Sequence, residues 1–378
     1  MKRIKQFIKK DIVTLVSFTL AVISMIIVRP DAEYAGYIHW STLSILMSLM
    51  VIMSGLRELG IFKYLGRRLL MHRNHARSVM LILVGLCFFF APFITNDVAL
   101  ITFVPFTIFV LEYAGFRKYI IPTLSLQTIA AHMGSMISPI GNPHNIYLYG
   151  LMSEAGQTNA PGFIRMMLPF FIAGGILLTG FVFVIARRNE AIIKRKFDQP
   201  MHFDGRTVEL LVMYTLLFAL SLLPVFGVVK CYFILPAVLL VVLVFDRKTL
   251  LRTNYSLLFT FVFLFIVVGN LGRIDAINNA LTGIVSGNEL IVSVLASQVI
   301  SNAPASILLS GFSDKYFLLA LGTDLGGLGT LIAAMANLIS FKGYSEMKDA
   351  NAGKYILQFT VINVLFLAVM LVFAMLIL

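Results

Sequence analysis

The sequence is short of charge. Of its 378 residues, 13% are Asp, Glu, Lys or Arg and 59% are hydrophobic, whereas a soluble domain of this length needs far more charge to cover its surface. Cysteine is nearly absent: Cys87 and Cys231 both fall in apolar segments and suggest neither a disulfide framework nor a metal site. No Gly-x4-Gly-Lys-Ser/Thr loop occurs, which argues against ATP-driven work by this chain alone. Acidic residues are scarcer than basic ones, 18 against 30. The basic residues nevertheless sit in short connections between apolar runs, which points away from nucleic acid as a partner.

What the chain has in quantity is apolar runs long enough for a helix to cross about 30 Å of hydrocarbon. Residues 12–28, 168–186, 208–228 and 355–378 are examples, and the mean hydropathy is +0.92. The pattern predicts an all-α polytopic membrane protein. Its first run follows Lys2, Arg3, Lys5, Lys9 and Lys10 and ends at Val28-Arg29-Pro30 without a small-x-small cleavage site. It therefore reads as a retained anchor helix, residues 1–30, rather than a secretory signal.

Cytoplasmic loops are enriched in Lys and Arg. Six segments hold 24 of the 30 basic residues: the N-terminus, 63–77, 117–118, 187–206, 247–252 and 342–354. For all six to share one side, residues 78–112 must begin and end inside, and residues 290–312 must begin and end outside. Each stretch is then a hairpin, the first interrupted by Thr95-Asn96-Asp97 and the second by Ser301-Asn302-Ala303-Pro304. The second is too short for two full passes, which favours re-entry. About nine full spans plus two hairpins then put the N-terminus in the cytoplasm and the C-terminus outside, in the plasma membrane.

After each hairpin comes a segment that aligns with the other, pairing Gly134 with Gly326, Ser138 with Thr330, Ile140 with Ile332 and Asn145 with Asn337. The expected layout is two inverted-topology repeats. The first, 40–187, reads span, hairpin with its tip at 95–97, broken span at 138–143, span. Residues 188–254 form a cytoplasmic loop and two linking spans. The second repeat, 255–378, has its tip at 301–304 and its broken span at 326–330.

A helix broken inside hydrocarbon leaves backbone groups that only protein or a wet cavity can satisfy. Four breaks at matching positions thus imply one polar cavity, with half-helix N-termini offering free N–H groups and partial positive charge. Asn142 before Pro143 reads as N-cap and first helical residue, while Asn96, Asn302 or the hydroxyls before them are suited to cap the return arms. Asp97 and Asp324 are intramembrane carboxylates, which point to a proton or cation unless each merely ends a helix or loop. His144 lies just inside a half-helix; His132 and Gln127 read as hydrogen bonding to a neighbouring helix.

At these residues the chain resembles a known group. Thr95-Asn96-Asp97-Val98-Ala99-Leu100, Pro139-Ile140-Gly141-Asn142-Pro143-His144-Asn145 and Gln298-Val299-Ile300-Ser301-Asn302-Ala303-Pro304 look like the signatures of the ion-transporter superfamily. Within it, the chain is similar to small anion permeases of the arsenite-permease and NhaD-type antiporter branch, which carry a citrate-transporter-like domain. The resemblance implies a homodimer, elevator-type alternating access, and a solute and coupling-ion site at the hairpin tips. Carried over, Thr95, Asn96, Asp97, Ser301 and Asn302 line that site, with Ser138, Gly141, Asn142 and Thr330 opposite; His144, Asn145, Asp324 and Asn337 complete the candidate set. Dicarboxylate relatives carry Ser-Asn-Thr at both tips, and the Thr-Asn-Asp and Ser-Asn-Ala found here argue for a different solute.

The expected function is secondary transport of a small inorganic or organic anion coupled to H⁺ or Na⁺, a sodium ion lying near Asn96, Asp97 and Asn302. No enzymatic activity, resident metal or cofactor is expected. A Na⁺/H⁺ antiporter using Asp97 and an arsenite exporter stand as alternatives. An intramembrane aspartyl protease would require Asp97 and Asp324 to share a proton, and it would leave the matched repeat without a purpose.

Overall fold

A computed structural model describes residues 12–61, 64, 75–186 and 204–378. The basic N-terminal stretch, most of 63–77 and most of 187–206 lie outside the described residues. Among the described residues there are seventeen α-helices and no strand. The chain opens with α1 (Ile12–Ile27), a single turn α2 (Tyr34–Tyr37) and α3 (Trp40–Glu58). The arms of the first hairpin are α4 (Ala76–Ile94) and α5 (Asn96–Tyr113), followed by α6 (Ile120–Ser135), α7 (Pro143–Glu154) and α8 (Ala160–Ile185). Next come α9 (Gly205–Leu222), α10 (Cys231–Arg252), α11 (Ser256–Gly272) and α12 (Asp275–Val285). The second hairpin is α13 (Glu289–Ile300) and α14 (Asn302–Ser310), and the chain ends with α15 (Tyr316–Gly326), α16 (Met335–Ser345) and α17 (Ala352–Ile377).

By length and composition α3, α4, α5, α8, α9 and α17 are each able to cross a bilayer. Two bent pairs also qualify, α10 with α11 at 76° and α12 with α13 at 112°. The chain is a multi-pass membrane protein, with six to eight candidate spans by length and composition among the described residues. α6 and α7 have 16 and 12 residues, each short of the roughly 20 that a full crossing takes.

Burial separates an inner from an outer set. The outer helices α8, α9 and α17 turn apolar residues such as Ile176, Val184, Leu216 and Leu376 outward. The hairpin and broken helices pack inward: α4 and α5 against α6, and α13 and α14 against α15. The two halves also cross, since α5 packs on α16 while α7 packs on α14 and α15. A second group flanks them, with α3 against α9 and α10, and α1 against α11. Charges at the helix ends pair there, Arg252 with Glu58 at 2.6 Å and Arg273 with Asp31 at 2.7 Å. These pairs are partly exposed and contribute little stability.

Candidate functional site

Both hairpins turn on one residue. Thr95 has φ 71° and ψ 154°, Ser301 has φ 73° and ψ 151°, and they are the only non-glycine residues with positive φ among those described. A side chain held in this region costs on the order of 1–3 kcal/mol, so the surrounding packing must impose it. The next residue is an asparagine in each case. The Asn96 N–H donates to the Gly141 carbonyl at 3.2 Å, and the Asn302 N–H to the Ala333 carbonyl at 2.9 Å. Their side-chain oxygens accept from the following N–H, Asp97 at 2.7 Å and Ala303 at 2.9 Å. The alignment that pairs Asn145 with Asn337 also pairs Gly141 with Ala333, so each tip is tied to its own helix break at the same place. The hydroxyls of Thr95 and Ser301 make no cap bond.

The breaks run over 136–142 and 327–334, the second longer than the sequence pattern indicated. Asn142 stands at the N-cap of α7 with Pro143 after it, as expected, yet its side chain does not cap. Instead its Nδ2 donates to Asp324 Oδ1 at 2.7 Å, and His144 Nε2 meets the same oxygen at 3.0 Å. Asp324 is fully buried, and a carboxylate without water draws the nearest donors away from weaker duties. The reciprocal contact joins His132 Nε2 to Asn337 Oδ1 at 3.0 Å. Asn337 Nδ2 donates to the carbonyls of Gly327 and Thr330 at 2.9 and 2.8 Å. Its Oδ1 must therefore accept, which puts the proton on His132 Nε2. Positions 132 and 324 correspond in the alignment, so the helix before each break grips the helix after the other break.

The tips and breaks line a cavity of about 30 Å³, room for a water molecule or a small ion. Asn96 and Asp97 line it from the first tip and Ser301, Asn302 and Ala303 from the second. Pro143 and His144 enter from one break, Ala334 and Met335 from the other. The N-termini of α5, α7, α14 and α16 thus converge, each carrying the partial positive charge of a helix start. Val13, Leu257 and Thr260 close the cavity from α1 and α11, where Thr260 bonds Thr14 at 2.8 Å. Among the described residues no group of three or more His, Cys, Asp or Glu could hold a metal ion.

A family model for citrate transporters matches residues 3–314. The chain belongs to the citrate transporter family. Over 362 residues it is 30% identical to an uncharacterized transporter of Methanocaldococcus jannaschii, covering 95% of this chain and 96% of that one. The inner membrane protein YbiR of Escherichia coli is 30% identical over 322 residues, 82% of this chain and 81% of its own. A silicon efflux transporter of Oryza sativa is 29% identical over 149 residues, 39% of this chain and 29% of the rice protein.

For this citrate-transporter-family chain, the remaining candidates fall beside the cavity rather than in it. Gly141 sits where an added Cβ would lie 2.0 Å from the Ser135 carbonyl. The Ser138 hydroxyl accepts from the Ile140 N–H at 3.3 Å within the first break. Asn145 is fully buried, and neither of its side-chain polar atoms has a protein partner; the same holds for Asp324 Oδ2, Asn142 Oδ1 and Thr330 Oγ1. Three contributors were not read as site residues in the sequence. Gln298 holds the second break together, with Nε2 donating to the carbonyls of Gly326 and Leu328 at 2.8 and 2.9 Å and Oε1 accepting from the Thr330 N–H at 3.0 Å. His132 does bond a neighbouring helix, as its setting indicated, but that helix is the second half-helix of the other half. The wall from α1 and α11 carries no motif at all.

Proposed function

We propose that this protein is a secondary active transporter of a small anion, held in the cavity between the two hairpin tips. The observation that carries the reading is the convergence of four helix N-termini on one cavity. Their summed partial charge favours a negative group. The matched tips and the crossed contacts at positions 132 and 324 support two inverted repeats. Val13 and Leu257 belong to the first turns of α1 and α11, which follow basic segments. The cavity then stands toward the basic side, which we take as the cytoplasmic face of the plasma membrane, with the N-terminus inside and the C-terminus outside. Sliding the hairpins and broken helices along α1 and α11 would carry it to the other face, an elevator motion. We propose a homodimer as well, on the family resemblance alone.

We take H⁺ as the coupling ion: no lysine or arginine bonds the buried Asp324 among the described residues, and its Oδ1 meets Asn142 Nδ2 and His144 Nε2 instead, an intramembrane carboxylate of the kind that serves proton relays. Asp97 on the same cavity favours one alternative, exchange of H⁺ for Na⁺ at the first tip.

The test is flux in proteoliposomes carrying the full-length chain, with arsenite, citrate, phosphate and Na⁺ offered in turn under imposed pH or Na⁺ gradients. The reading expects uptake of one anion driven by the pH gradient. It expects Asn96→Ala to abolish that uptake, and Asp324→Asn to uncouple it from pH. Flux of Na⁺ against H⁺ with no anion response, lost in Asp97→Asn, would replace anion transport by antiport.

A further inference from the structure

A groove of about 560 Å³ runs between α4 and α8 and shares no residue with the cavity at the tips. Leu81, Gly85 and Phe88 line it from α4, and Phe171, Gly175 and Val182 from α8. Its lining is almost wholly apolar, and the helices that form it are both long enough to cross a bilayer. At 1.5 Å per residue, the lining stretches of α4 and α8 extend about 12 and 16 Å along their axes. That is close to half of the roughly 30 Å hydrocarbon core, one leaflet deep.

The groove has a charged end. Arg77 lies one turn before Leu81 on the same face of α4, and its guanidinium reaches across to the last turn of α8. Nε and Nη2 donate to the Ala186 carbonyl at 3.0 and 2.8 Å, with Nη2 also 3.4 Å from the Phe183 carbonyl. The same guanidinium sits 4.8 Å from the centre of the Phe183 ring. Nη1 takes no part in these bonds, and the side chain is half-buried.

We propose that this groove seats one acyl chain of an anionic phospholipid, with the phosphate at Arg77. The arrangement suits a lipid better than a peptide or a second copy of the chain. The groove is as long as one leaflet, is lined almost wholly by apolar side chains, and ends at a cation where a headgroup would stand. The site has a structural consequence. At its deep end Phe88 stacks on Phe171 at 4.4 Å, two turns before the strained Thr95 tip. A seated chain therefore supports the outer side of α4, the hairpin arm that leads into Asn96 and Asp97.

The experiment uses the full-length chain, purified in detergent and washed until its phospholipid content is constant. Phosphatidylglycerol or phosphatidylcholine is then added, and bound lipid is counted by native mass spectrometry with Tm read in parallel. The wild type should hold one phosphatidylglycerol per chain, gain Tm from it, and prefer it to phosphatidylcholine. Arg77→Gln should erase that preference, a change of roughly fivefold in relative binding for one basic side chain at an anionic surface. Gly85→Leu fills the groove. Its Cβ would meet only the Phe89 ring, at an ordinary 3.9 Å, and leucine is a better helix former than glycine, so the variant should fold and lose both lipids. Equal binding of the two lipids by the wild type, or a full lipid count in Gly85→Leu, overturns the proposal. So does a Gly85→Leu protein that keeps its lipid but loses a dimer, since the groove then belongs to a second copy.

Discussion

The first hairpin has arms of 19 and 18 residues and carries Asp97 just past its tip asparagine; the second has arms of 12 and 9 residues and carries Ala303 there. Their turn residues nevertheless agree within a few degrees, and both tip asparagines donate to the matching carbonyl of a helix break. The crossed contacts differ in the same way. His132 makes a neutral hydrogen bond to Asn337, whereas the corresponding Asp324 gathers Asn142 and His144. Backbone geometry is what the two halves share, and charge is what they do not. A cavity between them therefore has the same scaffold on both sides but acid chemistry placed unequally, which suits the proposed binding of one solute and one coupling ion.

The comparison breaks most readily at the crossed contacts. Asp324→Ala strands buried donors and should cost about 3–5 kcal/mol, while His132→Ala removes a neutral bond and should cost about 1–2 kcal/mol. Denaturation of the two purified variants gives the ranking, and equal losses would mean that the two contacts are alike after all. Next are the carbonyls that receive the tips. Gly141→Ala pushes a methyl against the Ser135 carbonyl and should cost about 3 kcal/mol, whereas Ala333→Gly, at the corresponding place, should cost about 1 kcal/mol or less. Smaller still are the turns. Thr95→Gly and Ser301→Gly relieve the same strain and should stabilise by about 1 kcal/mol each; a gain at one tip with a loss at the other would show that the two turns are not equivalent. Least is the stability effect of exchanging Asp97 for Asn, within about 0.5 kcal/mol, although its effect on ion response should be large.

Much of this architecture is legible in the sequence because it is local. The tips announce themselves as polar triplets inside apolar runs, Asn142-Pro143 marks a helix start, and the pairing of Asn145 with Asn337 already contains the correspondence of Gly141 with Ala333. What the sequence conceals is who meets whom across the molecule. Asn142 has every local mark of a cap and leaves that role for Asp324, 182 residues away. Asp324 itself reads equally well as a surface loop residue, because nothing near it in sequence announces that α15 is buried to its last turn. Gln298 lies within a recognisable motif, but three of its bonds go to a break about thirty residues on. Val13 and Leu257 are unremarkable in any hydropathy profile and become part of the site only because α1 packs on α11.

The central claim is that two hairpins from opposite halves build one binding site, and a ligand-dependent Tm measurement tests it most directly. The purified chain is heated with each member of a panel of citrate, phosphate, sulfate and arsenite. A ligand at about 100 times its Kd should stabilise the folded protein by roughly 2.7 kcal/mol. The prediction is that one anion raises Tm in the wild type and that Asn96→Ala and Asn302→Ala each abolish the rise, although the two residues lie 206 positions apart. A rise that survives in either variant would contradict a single shared site.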